Sequence, residues 1–196
     1  MRNTSYKPVL LFIVGLFIIL GISSLITYKI HDHIAVISHD QSQWYGVFLY
    51  GFGHESMQHY FGNMFGIMLG SFLIGTWSFR AMLYCVPLSL VLGGIFAYFF
   101  TEPQSMTIGA SGISYGLMTV GIGVGFIVGT QQSIINSLIL LAGNVGLFFG
   151  MIPSVSNEVG RVSWQAHAGG AIAGVIILGF ILYDKNRGSS HLVLQD

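Results

Sequence analysis

The chain alternates between long apolar stretches and short polar segments. Six stretches of about 20 residues carry almost no charged side chains, and this is the length that an α-helix needs to cross a bilayer. They run from Pro8 to Tyr28, His59 to Phe79, Ala81 to Phe100, Ser111 to Gly129, Ile134 to Ile152 and Ser163 to Tyr183. The pattern predicts an all-α membrane protein in which residues 1–196 form a single domain, a bundle of six transmembrane helices.

The composition supports a location in the lipid bilayer. Hydrophobic residues make up 53% of the chain and charged residues only 7%, whereas roughly a quarter of the residues in soluble domains are charged. The net charge is zero, which predicts no nucleic-acid partner. Cys85 is the single cysteine, so neither a disulfide framework nor a thiol pair for metal binding is expected.

The basic residues predict the orientation in the membrane. Cytoplasmic loops are enriched in Lys and Arg. If the N-terminus is cytoplasmic, five basic residues fall on the cytoplasmic side and only Lys29 and Arg161 fall outside; the five are Arg2, Lys7, Arg80, Lys185 and Arg187. We therefore expect a multi-pass protein of the cell membrane with both termini in the cytoplasm.

Three polar clusters stand at the starts of the second, fourth and sixth stretches. They comprise His59 with Asn63, Ser111 within a run of small residues, and His167. Because alternate helices begin on the same side of a membrane, all three clusters are expected near its outer face. Polar groups at that depth usually face the bundle interior or a water-filled cavity. A serine and a histidine that meet there can act as nucleophile and base.

Small residues indicate how the fourth and sixth helices pack. Glycines recur at four-residue spacing, which is typical of close helix contacts in membranes; the pairs are Gly112 with Gly116, Gly121 with Gly125, and Gly170 with Gly174. A close crossing of these helices would bring Ser111 to His167. Tyr115, one turn after Ser111, could stack on the imidazole or make an ordinary packing contact.

His59 and Asn63 lie four residues apart and share one helix face. Together with the free amides at the start of the fourth helix they could form an oxyanion hole, or they could simply make hydrogen bonds between helices. The group His54, Glu55 and His59 lacks the four-residue histidine spacing of a zinc protease. No metal or cofactor is predicted, and the lack of a carboxylate within the spans favours a Ser-His dyad.

Aromatic residues are concentrated in the first outer loop, between Lys29 and Gln58. They are Trp44, Tyr45, Phe48, Tyr50 and Phe52. Aromatic rings are favoured at the membrane interface. The loop is therefore predicted to form an amphipathic element that rests in the interface.

At these motifs the chain resembles the rhomboid family of intramembrane serine proteases. Three motifs carry the resemblance: His54-x4-His59-x3-Asn63, Gly109-Ala110-Ser111-Gly112 followed by Tyr115, and Ala166-His167-x2-Gly170-x3-Gly174. The resemblance implies a rhomboid-like fold of the compact bacterial or archaeal type. Its first outer loop departs from the family, because Trp44-Tyr45 stands where many members carry a Trp-Arg pair.

The resemblance also implies roles for individual residues. Ser111 would be the nucleophile, His167 the general base and acid, and His59, Asn63 and the Ser111 amide the oxyanion hole. Supporting residues would be His54, Gly109, Gly112, Tyr115, Gly170 and Gly174.

The implied substrates are transmembrane helices, cut near the outer face where the helix unwinds. The fifth span or the loop from Ser154 to Val162 would act as gate or lid, and Asn144 in that span is expected to make a hydrogen bond between helices. Two alternatives stay open: a catalytically inactive rhomboid-like protein that binds membrane helices, and a small transporter. The sequence predicts no oligomeric state.

Overall fold

The computed structural model describes residues 6–27, 29–143 and 163–187. These residues are mainly helical, with one short two-stranded ribbon. The elements are α1 (Lys7–Thr27), α2 (His31–Ile34), β1 (Val36–Ile37), α3 (Gly46–Leu49), α4 (Met57–Trp77), α5 (Phe79–Phe100), β2 (Met106–Thr107), α6 (Ser111–Val128), α7 (Gln131–Gly143) and α8 (Trp164–Arg187). Single turns of 3-10 helix occur at Gln41–Gln43 and Tyr50–Phe52. The all-α class predicted from the hydrophobic pattern is confirmed.

Serine side chains define where α4 and α5 begin. Ser56 precedes α4 and its hydroxyl accepts from the His59 amide at 3.1 Å, while Ser78 accepts from the Ala81 amide at 3.1 Å at the start of α5. The Ser78 amide also donates to the Ile74 carbonyl at the end of α4. Because caps of this kind satisfy amides that have no partner within the helix, one residue suffices to separate the two helices.

Four of the described helices, α1, α5, α6 and α8, are long and apolar enough to cross a membrane. They correspond to the first, third, fourth and sixth predicted spans. Helix α4 has 21 residues but is less apolar because it carries His59 and Asn63. The second half of the predicted fifth span, Asn144 and the loop at 154–162 lie outside the described residues. The six-span count and the orientation therefore stay predictions.

Helix α6 occupies the middle of the bundle and packs against α4, α5, α7 and α8. At its crossing with α8, a Cβ added to Gly170 would lie 3.0 Å from the Gly112 Cα, and one added to Gly174 would lie 2.6 Å from the Gly116 carbonyl oxygen. These four glycines let the two backbones touch, as their spacing predicts.

The remaining glycine pair of α6 has a different neighbour. A Cβ on Gly121 would meet the Leu140 side chain, and one on Gly125 would meet Ser133 and Ser137, so both face α7. The expectation that this pair supports the crossing with α8 is wrong. The reason is that Gly121 follows Gly116 by five residues, which at about 100° per residue puts it on a different face of α6; Gly123 is the glycine of this half that faces α8, at Leu178.

The first outer loop folds back onto the helices. Strand β1 pairs antiparallel with β2, so that Val36 lies opposite Thr107, and the ribbon anchors the loop just before α6. Trp44 and Phe48 are exposed, but Tyr50 is completely buried. The predicted single amphipathic element is therefore replaced by short helical turns, and Tyr50 points inward rather than toward the interface.

Candidate active site

Ser111 and His167 meet where the N-terminal ends of α6 and α8 come together. Ser111 is the first residue of α6, and His167 lies in the first turn of α8. The Ser111 Oγ is 2.9 Å from the His167 Nε2. This distance falls within the range of about 2.6–3.2 Å over which a base can take a hydroxyl proton. His167 is only 5% exposed, so the pair is largely shielded.

The Tyr115 ring stacks on the His167 imidazole. The two ring centroids are 4.0 Å apart and the planes differ by 18°. Tyr115 lies one turn after Ser111 on α6 and is buried. Tyr115 therefore stacks on the imidazole, which is the first of the two interpretations that the sequence left open. The stacking contact limits rotation of the imidazole.

His59 and Asn63 face the loop that leads into α6. Gly109 has a φ of +119°, which favours glycine, and a Cβ there would lie 2.7 Å from the His59 Cε1 and 3.3 Å from the Asn63 Nδ2. The absence of a side chain at Gly109 therefore lets both polar groups approach the backbone two residues before Ser111.

The Asn63 side-chain amide is a buried donor without a protein acceptor. Asn63 is 8% exposed, and its Nδ2 has no hydrogen-bond partner among the described residues. The Asn63 backbone carbonyl, by contrast, accepts from the Ser114 hydroxyl at 3.1 Å, which ties α4 to α6. Buried donors are nearly always paired. An unpaired one at the turn two residues before Ser111 indicates a place where an acceptor atom binds.

His54 connects α1 to the start of α6. Its Nδ1 is 2.8 Å from the Ser24 Oγ, and its Nε2 accepts from the Ala110 amide at 3.4 Å. The Ser24 hydroxyl donates to the Leu20 carbonyl at 2.6 Å, so the proton shared with His54 belongs to Nδ1. Burial, and then the nearby His59, lower the pKa of His54 to about 3. His54 is therefore neutral and holds the residue that precedes the serine.

A family model described as Rhomboid domain matches residues 41–185, about three quarters of the 196 residues. The chain belongs to the rhomboid family. This family consists generally of intramembrane proteases, and the four apolar helices agree with a multi-pass membrane protein.

The curated relatives of this rhomboid are mycobacterial. An uncharacterized protein of Mycobacterium tuberculosis (strain ATCC 25618 / H37Rv) is 27% identical over 128 residues, which cover 63% of this chain and 53% of the relative. An uncharacterized protein of Mycobacterium leprae (strain TN) is 28% identical over 128 residues, covering 63% and 50%. The chain spans about half the length of these relatives. No solved structure matches the chain.

Two further residues of the rhomboid help to hold α8, and the sequence motifs did not point to them. The Gln165 side chain donates to the Phe100 carbonyl at 3.1 Å, and the Ser163 hydroxyl accepts from the Ala166 amide at 3.3 Å. Gln165 thus links the start of α8 to the end of α5. In the sequence, the only indication of a role for Gln165 was its position two residues before His167.

Metal ligands are not grouped in the part of the rhomboid that the structure describes, since no three His, Cys, Asp or Glu side chains come together there. The His54 and His59 rings approach each other edge to face, with centroids 5.2 Å apart.

Proposed function

We propose that this rhomboid is an intramembrane serine endopeptidase that uses Ser111 and His167 as a catalytic dyad. The observation that carries the proposal is the 2.9 Å separation between the Ser111 Oγ and the His167 Nε2 in a protein of a generally proteolytic family. A hydroxyl is a weak nucleophile by itself and needs an adjacent base. The stacked Tyr115 ring supports His167 in the orientation that this role requires.

In the proposed reaction, His167 takes the Ser111 proton as Oγ attacks the carbonyl carbon of the substrate peptide bond. The carbonyl oxygen becomes an oxyanion, and His167 then gives its proton to the leaving amine. The acyl group stays on Ser111 until water, deprotonated by His167, attacks the ester carbon. His167 then returns that proton to the Ser111 Oγ as the ester C–O bond breaks and the new carboxyl group leaves. No carboxylate partner is required, because Tyr115 already restrains the imidazole.

The proposed oxyanion hole consists of the Asn63 side chain, the His59 side chain and the Ser111 amide. Asn63 supplies the strongest support, because its Nδ2 is buried and has no partner among the residues that the structure describes. The first amides of α6 have no acceptor within the helix, and the positive end of the helix dipole favours negative charge there. Each such donor is typically worth about 10²- to 10³-fold in kcat.

The proposed substrates are transmembrane helices that unwind near the outer face of the cell membrane. A helical peptide bond is a poor target because its carbonyl accepts a hydrogen bond within the helix. Segments with small or helix-breaking residues should therefore be cut. Six spans and cytoplasmic termini would place the dyad on the outer side, with the fifth span or the loop at 154–162 as the gate.

The test uses purified protein in proteoliposomes with a single-span reporter that has small residues at its outer end. Wild type should cleave the reporter and react covalently with a fluorophosphonate probe. Ser111→Ala and His167→Asn should reduce cleavage to background while thermal stability stays close to that of wild type. Ser137→Ala, which removes a buried helix hydroxyl bonded to the Gly121 carbonyl, is the matched control and should stay active.

The outcome separates the proposal from its alternatives. Cleavage that persists in Ser111→Ala would exclude the dyad. A stable wild-type protein that neither cleaves nor reacts with the probe would instead be an inactive membrane-helix binder. Solute flux through liposomes that is unaffected by Ser111→Ala would indicate a transporter.

A further inference from the structure

Tyr50 from the first outer loop is buried between three helices. Its side chain is 0% exposed. Its phenol oxygen is the atom that a Cβ at Gly93 of α5 would strike first, and it would lie 2.9 Å from a Cβ at Gly112 of α6. The Ala166 carbonyl of α8 borders the same space, at 3.0 Å and 3.1 Å from these two Cβ positions. The ring thus fills a slot that the two glycines leave open.

The contacts of Tyr50 lie next to both members of the dyad. Gly112 directly follows Ser111, and Ala166 directly precedes His167. The Tyr50 ring also belongs to a small buried cluster of its own, separate from the main core, with Val36, Ala97 and Ala166. A change in the position of the ring therefore acts on the distance between the serine and the histidine.

The backbone of Tyr50 reaches the other side of the site. Its carbonyl accepts from the Gly109 amide at 2.9 Å. Gly109 is the residue that faces the His59 and Asn63 side chains. The Tyr50 side chain thus contacts the residues next to the dyad, and its backbone contacts the turn beside the proposed oxyanion hole.

We propose that Tyr50 is a positioning residue whose ring sets the separation of Ser111 and His167 and whose carbonyl holds Gly109. The proposal rests on the proposed protease function. The ring rather than the hydroxyl carries the role, because the Tyr50 Oη has no hydrogen-bond partner among the described residues. Removing a buried hydroxyl that has no partner is close to neutral for stability.

The test is a rescue experiment at Gly93. A Cβ in Gly93→Ala collides with the Tyr50 Oη, whereas the next atom of that ring, Cζ, is 3.6 Å away. Tyr50→Phe removes the colliding oxygen and keeps the ring. Gly94→Ala is the matched control on the same helix, because its Cβ would meet the Val47 backbone instead and cannot be relieved by Tyr50→Phe.

The readouts are kcat, KM, and the rate and pH profile of fluorophosphonate labelling. A misplacement of about 1 Å can cost about 10²-fold in rate. Tyr50→Phe should stay within about threefold of wild type, and Gly93→Ala should lose about 10- to 100-fold in kcat and labelling with little change in KM. The double variant Gly93→Ala/Tyr50→Phe should regain at least about threefold in kcat and labelling, because the nearest clash is removed while the Ala166 carbonyl oxygen stays 3.0 Å from the added Cβ. Gly94→Ala should gain nothing from Tyr50→Phe.

Three results overturn the proposal. Gly93→Ala that keeps wild-type labelling shows that the slot does not control the dyad, and failure of Tyr50→Phe to restore Gly93→Ala shows that the collision is not with Tyr50. Equal restoration of Gly94→Ala shows a general stability effect. If the wild type neither cleaves the reporter nor reacts with the probe, both the protease function and this proposal are wrong. If the wild type is active but Tyr50→Phe does not restore Gly93→Ala, only the role of Tyr50 is wrong.

Discussion

Gly170→Ala tests whether the α6–α8 contact sets the geometry of the dyad. A Cβ on Gly170 would collide with the Gly112 carbonyl oxygen and would lie 2.7 Å from the carbonyl carbon. Both neighbours are backbone atoms, so neither can rotate away. Restoring an ordinary contact of about 3.4 Å with the carbonyl oxygen requires the helices to separate by more than about 1 Å at this point.

The separation acts on the dyad because Gly112 adjoins Ser111 and Gly170 lies one turn after His167. The Oγ to Nε2 distance of 2.9 Å would lengthen to about 4 Å, beyond the range for proton transfer. We expect kcat to fall by about 10²-fold, with a cost of about 1–3 kcal/mol in the free energy of unfolding from overpacking. KM should change little, because no substrate contact is removed.

The assay compares kcat, probe labelling and thermal unfolding for Gly170→Ala and Gly179→Ala. Gly179 lies on the same helix, and a Cβ there would meet no heavy atom within 4 Å. Gly179→Ala should therefore keep wild-type activity and be equally or slightly more stable, since Ala is the better helix former. A folded Gly170→Ala protein with at least half the wild-type kcat would refute the idea that backbone contact at this glycine sets the catalytic distance.

Three further predictions concern the groups around the dyad. Asn63→Ala should lower kcat by about 10²- to 10³-fold without loss of thermal stability, because the Nδ2 that it removes has no partner in the described residues; an unchanged kcat would exclude an oxyanion role. Tyr115→Phe should keep labelling near the wild-type rate because the stacked ring remains, while Tyr115→Leu should lose it; equal activity of the two would show that stacking is unimportant. Because the pKa of His54 falls to about 3 in the folded protein, the unfolded chain binds a proton below about pH 6.5 that the native state does not, so stability should fall as the pH drops through this range. At pH 5 this residue accounts for about 2 kcal/mol, and His54→Gln should flatten that part of the pH dependence of thermal unfolding relative to wild type.

The meeting of Ser111 and His167 could be anticipated from the sequence because two simple constraints act on them. Successive transmembrane helices run in opposite directions, so every second helix begins on the same side of the membrane. Glycines at four-residue spacing then bring two of those helices into contact. Both constraints depend only on the order of residues along each helix. The dyad therefore follows from the motifs, and the 2.9 Å distance adds the side-chain geometry.

The inward position of Tyr50 could not be anticipated in the same way. An aromatic residue in an outer loop is equally compatible with the membrane interface and with a buried slot, and the loop has no periodicity that separates the two. Its segments are too short, since α2 and α3 have four residues each and β1 has two. Likewise the contact between Ser24 and His54 depends on the rotation of α1 against the rest of the bundle, which composition does not specify.

The position of the dyad at helix starts has a physical advantage over a position in loops. Ser111 and His167 each lie in the first turn of a helix, and the Gly170–Gly112 contact joins the two helices within one further turn. Their separation therefore follows from the packing of two rigid rods, while the connecting loops remain able to move or vary. In a bilayer this matters because apolar side chains gain little by leaving lipid for a protein interior, so close backbone packing must supply the association. The same glycines that hold the bundle together would then also hold the nucleophile against its base, and substitutions at that contact should affect rate more than those at equally buried positions elsewhere.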